Sequence, residues 1–156
     1  GAAVDSFTLH TMNIKPCDGC DACHSGDRQC IIAGDMDILY PKLRAADVIV
    51  IATPIYWFTM SAQTKMCIDR WYALENDSGN ALRGKRFVFV LTYGDSDPWT
   101  SGAVNAMRAF QDMCRYVKAE IAGMVYGSAS DQGDIESQPK LLEKAYKLGQ
   151  SIAGRT

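Results

Sequence analysis

The chain has 156 residues, 47% hydrophobic and 22% charged, which suits a single domain with its own core and excludes a disordered tail. Its 16 Lys and Arg against 18 Asp and Glu leave a formal net charge of −2 without any basic run, arguing against nucleic acid or an anionic membrane as main partner. The longest apolar stretch, Val48–Phe58, contains a proline and falls short of the roughly 20 residues a membrane span needs, and no secretory signal pattern opens the chain.

Val4–Leu9 is a short strand candidate, followed by a cysteine-rich loop from Thr11 to Gly34. Asp35–Ala46 reads as a helix with Met36, Leu39, Leu43 and Ala46 on one face, and Pro41 is tolerable there only in the first turn. Asp47–Thr53 is a continuous β-branched run, the pattern of a strand covered on both faces. Ser61–Tyr72 reads as a second helix and Arg86–Thr92 as a second buried strand. In Gly102–Tyr116 a core-facing stripe of Ala103, Met107, Phe110 and Cys114 continues to Val117. Glu120–Tyr126 is a further strand and Lys140–Ile152 a terminal helix. This alternation predicts parallel βαβ units and hence a doubly wound α/β sheet in one domain over residues 1–156.

In such sheets ligands bind beyond the carboxyl ends of the strands. Thr53-Pro54-Ile55-Tyr56-Trp57 leaves one buried run, and Thr92-Tyr93-Gly94-Asp95 leaves the next. Planar side chains beside exposed backbone amides suit a flat, hydrogen-bonding heterocycle such as a flavin ring, and Gly94 would let backbone approach it closely. The competing reading is that the aromatics only cover a sheet edge or a subunit contact.

Four of the six cysteines, Cys17-x2-Cys20-x2-Cys23-x6-Cys30, crowd into one loop. Thiolates at this spacing, with Gly19 and Gly26 relieving the turns, suit an iron–sulfur cluster. Zinc sites usually separate their Cys pairs further, and the C-x-x-C-H of Cys20–His24, a haem-attachment pattern, would leave Cys17 and Cys30 unused. Four free thiols remain the bland alternative, and the negative charges of Asp18, Asp21 and Asp27 disfavour thiolates nearby. Clustered cysteines without a secreted disulfide framework point to reduced thiols and a cytoplasmic compartment.

Cys67 and Cys114 read as inert buried thiols, and Met66, Ile68, Met107 and Met113 as core fillers. Lys65 and Asp69, with Arg70 adjacent, read as a solvated or subunit-contact ion pair. His10 carries no argument, and His24 reads as a solvent-exposed loop side chain. No catalytic acid or base stands out, and no Ser/His/Asp set, paired-carboxylate site or Walker loop is present.

Asn13-Ile14-Lys15-Pro16-Cys17 through Cys30, then Asp35-Met36, Ala46-Asp47, Thr53-Pro54-Ile55-Tyr56-Trp57, Lys65 and Ile68-Asp69-Arg70 resemble the iron–sulfur flavoproteins. The wider likeness is to the flavodoxin-like NAD(P)H-dependent FMN reductases. It implies a flavodoxin-like fold, FMN against Pro54–Trp57 and Tyr93–Asp95, a 4Fe-4S cluster on Cys17, Cys20, Cys23 and Cys30, and homodimers or homotetramers. The family's opening strand, phosphate-cradling loop and first helix have no counterpart here, and Gly1–Val4 resembles the exit from that helix.

The expected function is an FMN-dependent oxidoreductase. It would pass electrons from NADPH, NADH or a reduced carrier to a quinone, nitro or azo compound, oxygen, or an iron–sulfur centre, with a ferredoxin-like protein as possible partner. An electron-transfer relay without its own substrate, and a remnant that binds no flavin, are the competing expectations.

Overall fold

The β-branched run after Asp47 builds strand β1, Val48–Tyr56, and the apolar run after Lys85 builds β5, Arg86–Tyr93. A computed structural model describes residues 1–25, 29–76 and 79–154. With β6, Glu120–Ser128, these strands lie side by side and parallel, the antiparallel pair β2, Thr59–Met60, closing a sheet of order β2-β1-β5-β6. A separate hairpin pairs β3, Glu75–Asn76, with β4, Gly79–Asn80.

One face of the sheet carries the core. Ile49 and Ile51 of β1 and Phe87, Phe89 and Leu91 of β5 project into it under period-two alternation. Helix α3, Ala103–Val117, brings Ala106, Phe110 and Cys114 to the same core. Phe110 stacks on Phe89 at 4.2 Å between ring centroids, and Phe89 on Phe87 at 5.9 Å. Met36 and Leu39 of α1, Met36–Ala45, and Trp71 and Leu74 complete the layer. Burying side chains of this size stabilises by roughly 1.5–3 kcal/mol each.

On the opposite face, Val50, Val88 and Gly123 form one row across β1, β5 and β6. Helix α4, Pro139–Ala153, packs its leucines over the β6 end of that face, and Gly123 and Gly127 leave the room for Leu148 and Leu141. The row opens to solvent at β1, where Val50 is 59% exposed. Among the described residues, no strand lies against the outer edge of β1 between Val48 and Pro54.

Several expected boundaries move. Val4–Leu9 is not a strand: residues 1–8 have no regular structure and Val4 is 82% exposed, because no sheet edge pairs with them. Pro41 lies mid-helix in α1 rather than in its first turn, on the exposed side, where water can take the carbonyl that the missing N–H frees. The expected helix over Ser61–Tyr72 divides into α2, Ala62–Asp69, and a 3-10 segment, Arg70–Leu74. Both inner strands run past the predicted stops at Thr53 and Thr92, so Pro54–Tyr56 and Tyr93 are strand residues rather than loop. Gly26 and Asp27 of the cysteine loop lie outside the described residues.

Candidate functional site

The two turns predicted to share a ligand do leave neighbouring parallel strands at the same end, with Pro54 directly opposite Thr92. One strand further, Tyr93 faces Ser128 of β6, and the Ser130 hydroxyl donates to the Gly94 carbonyl at 3.1 Å. Three chain segments therefore meet at one carboxyl-end edge.

β1 passes through Pro54, Ile55 and Tyr56 and then reverses at Trp57-Phe58 into β2. Both turn residues hold positive φ, 49° and 69°, the geometry that a two-residue hairpin requires and that non-glycine residues adopt at some cost. The hairpin is pinned from both sides. Ser61 N–H donates to the buried Thr53 hydroxyl at 3.1 Å, and Ser61 then caps α2 by accepting from Thr64 N–H. On the other side, Asn105 of α3 donates to the Phe58 carbonyl at 3.0 Å, and Gly102 packs against Phe58.

This scaffold holds large aromatic surface in water. Tyr56 is 62% and Trp57 91% exposed, with Phe58 and Trp99 also open. Trp57 and Phe58 meet edge to face. Asp97 organises the turn after β5 by accepting from Trp99 N–H, Thr100 N–H and the Thr100 hydroxyl, and the bonds from Thr100 hold its carboxyl below the usual range. Burial, then the neighbouring Tyr126, push the Tyr93 phenol up, keeping it neutral. Gly94 adopts no glycine-specific backbone; an added Cβ would meet only the Ser130 hydroxyl at ordinary contact. Two surface cavities, of about 540 and about 250 Å³, lie elsewhere, against the start of α4 and between Leu9–Ile14 and the start of α2.

The cysteine loop is less uniform. Cys17 and Cys20 are exposed, Cys23 is buried and Cys30 half-buried, and all are free thiols. Burial, then the proximity of Cys30, push the Cys23 thiol up, with Asp21 and Cys17 adding to the effect. Cys20 hydrogen-bonds the Asp18 carboxylate and lowers its pKa. Among the described residues, no three His, Cys, Asp or Glu side chains are arranged to hold a metal ion. The donor set nonetheless has the right chemistry: four thiols in one loop, with Cys30 and Cys17 near enough to Cys23 to raise its pKa.

Local sequence missed the residues that hold this loop. Arg70, read as part of a solvated ion pair, is 1% exposed; Lys65 and Asp69 form that pair without it. Its guanidinium donates to the Lys15 carbonyl at 2.9 Å, the Ile32 carbonyl at 2.7 Å and Cys30 Sγ at 3.2 Å. Burial works against its charge, but Tyr40 and Cys30 more than offset this and hold its pKa above the usual value. His24, expected in solvent, stacks on Tyr72 at 4.1 Å, and the Tyr72 hydroxyl donates to Asp21 at 3.1 Å. The only advance signal was a charged residue beside an ion pair at a helix end. Cys67 and Cys114 are buried thiols as expected, both pushed up to about 11 by burial.

Among the described residues, no helix is long and apolar enough to cross a membrane. The chain is 38% identical over 89 residues to an iron-sulfur flavoprotein of Methanosarcina thermophila, a match covering 53% of this chain and 46% of that protein. The chain thus spans about half the length of that relative. It is 25% identical over 159 residues to YwqN of Bacillus subtilis, named as an NAD(P)H-dependent FMN-containing oxidoreductase, covering 95% of this chain and 82% of that one. Among solved structures, the Trp repressor binding protein from Bacillus subtilis superposes with a TM-score of 0.65 at 28% identity, over 73% of this chain and 70% of its own. The family model for the flavodoxin-like fold matches residues 3–151, and with β1, β5 and β6 lying parallel in one sheet, the chain belongs to that family.

Proposed function

We propose that this chain presents a flavin ring for an FMN-dependent oxidoreductase, with electrons entering from NAD(P)H or a reduced carrier. They would leave to a small acceptor such as a quinone, a nitro or azo compound, or to an iron–sulfur centre. The observation that carries the reading is the register of Pro54 against Thr92, with Tyr56 and Trp57 held open just beyond it.

Bound there, FMN would supply hydride and single-electron chemistry. The chain's part is placement. Pro54–Trp57 offers aromatic faces on a hairpin fixed by Thr53, Ser61 and Asn105, and Tyr93, Gly94 and Asp95 border the same edge from β5. Neutral Tyr93 adds no charge beside the ring, whereas the carboxylate of Asp97 is committed to its own turn. Exposed Trp57, Phe58 and Trp99 favour a homodimer or homotetramer that covers them, and the free thiols favour a reducing, cytoplasmic setting.

A second reading is favoured by the docking of the cysteine loop onto the segment that follows α2. Cys17, Cys20, Cys23 and Cys30 would hold a 4Fe-4S cluster able to exchange single electrons, making the protein a relay whose partner is a ferredoxin-like carrier.

Titration with FMN and with riboflavin, followed by flavin fluorescence quenching, tests the ring site. Saturable binding of both, weakened about tenfold or more in Tyr56→Ala Trp57→Ala, is expected, since base-sized rings stacked on aromatics gain ~1–3 kcal/mol each. Absence of saturable binding by either flavin refutes it. NAD(P)H consumption with a quinone marks the reductase, whereas its absence alongside rapid reduction by a ferredoxin marks the relay.

A further inference from the structure

We propose that Arg70 is the positioning residue of the cysteine site, one buried guanidinium closing the neck of the 15–32 loop while donating to the Cys30 sulfur. The inference rests on the reading of those cysteines as cluster ligands.

Lys15 and Ile32 stand on either side of the four cysteines, and their carbonyls accept from the same guanidinium. The neck is therefore fixed by one side chain whose planar fork presents five donors in set directions, where a lysine ammonium presents three on a flexible stem. Two residues on, Tyr72 engages the tip of the loop by stacking on His24 and donating to Asp21. Neck and tip thus dock on a single 3-10 segment, Arg70–Leu74.

The charge balance points the same way. Among the described residues, no carboxylate forms an ion pair with Arg70, and its Nε finds no hydrogen-bond partner. A buried guanidinium without a directly paired carboxylate is costly, and its electrostatic influence on Asp18 is only a minor one. A cluster held by four thiolates carries net negative charge, and the Cys30 sulfur is already within 3.2 Å of Nη2. Arg70 also directly follows α2, whose start is capped by the Ser61 that binds Thr53. A helix of eight residues spans about 12 Å, so one short element ties the ring-facing hairpin to the cysteine loop.

Wild type, Arg70→Lys and Arg70→Gln are purified anaerobically and loaded with ferrous iron and sulfide. Three quantities are read: iron loss to a chelator, the cluster's midpoint potential, and amide hydrogen exchange across the loop in metal-free protein. In both variants iron is expected to leave roughly tenfold faster or more, the usual effect of removing a group that supports metal ligands. The potential is expected to fall as a hydrogen bond to sulfur is lost. Variants that match wild type in iron loss and potential overturn the proposal. If wild type takes up no iron, the cluster reading fails, and amide exchange decides the clamp alone: lost protection upholds it and unchanged protection overturns it. Should neither variant fold, exchange of guanidinium protons in 15N-arginine-labelled wild type decides, since one slowly exchanging guanidinium is expected and uniformly fast exchange refutes it.

Discussion

Gly102 stands at φ +75°, and a Cβ built there would lie 2.6 Å from Phe58 Cα, in a direction where backbone rather than a flexible side chain must give. Gly102→Ala is therefore expected to lower stability by about 1–3 kcal/mol in urea unfolding, the cost of a strained left-handed residue, and to loosen the Trp57-Phe58 turn. Weaker flavin binding should accompany it; an unchanged unfolding midpoint would show that α3 does not pin the hairpin. The two helix cysteines give a pH test. Burial raises both from an ordinary value of 9.0 to about 11, so the folded state keeps protons that the unfolded chain releases. Their contribution is present below about pH 9 and lost as pH rises towards 11. Urea midpoints should decline across that interval, and less steeply in Cys67→Ala Cys114→Ala. Native alkylation at pH 8 should modify exposed Cys17 and Cys20 and spare this buried pair.

At the scale of elements, what could be read from the chain was whatever local pattern controls. The β-branched run of β1, the apolar run of β5 and the stripe of α3 declare themselves because each residue's burial repeats with the element's own period. Ends were less legible. Pro54 looks like a strand stop, yet it pairs with Thr92 on a strand whose outer edge has no paired strand there among the described residues, an edge position where proline is tolerated. The division of the second helix at Arg70 depends on carbonyls 55 and 38 positions away in sequence, which no window over Ser61–Tyr72 can contain. The proposed ring site was legible as two turns leaving adjacent strands, but the residues that pin its hairpin, Gly102 and Asn105, enter from the start of α3 and were not. Helix α4 illustrates the same dependence on distant partners. None of its residues is fully buried, and it docks because Gly123 and Gly127 admit Leu148 and Leu141. Gly123→Val Gly127→Val should displace it, costing about 1–3 kcal/mol through overpacking. Amide exchange in residues 139–153 should accelerate selectively; acceleration spread evenly over the chain would mean that α4 is not a separable layer.

For the molecule as a whole, the two faces of the sheet are unequally covered. The core face is closed by α1, α3 and the Arg70–Leu74 segment, whereas the opposite face is covered by α4 only towards β6 and exposes Val50 at β1. Beside that exposed face runs the outer edge of β1, with no strand paired to it among the described residues from Val48 to Pro54. Unpaired backbone next to exposed β-branched surface is a template for edge-to-edge association, and a charged side chain is the usual means of blunting it. This 156-residue chain is accordingly expected to self-associate with rising concentration, and Val50→Lys to reduce that association without lowering the unfolding midpoint, since the position is already largely in water. Sedimentation velocity across a concentration series reads the outcome directly. Association that is undiminished in Val50→Lys but abolished in Trp57→Ala would move the contact to the aromatic hairpin, so that a second copy would cover the edge proposed for the flavin.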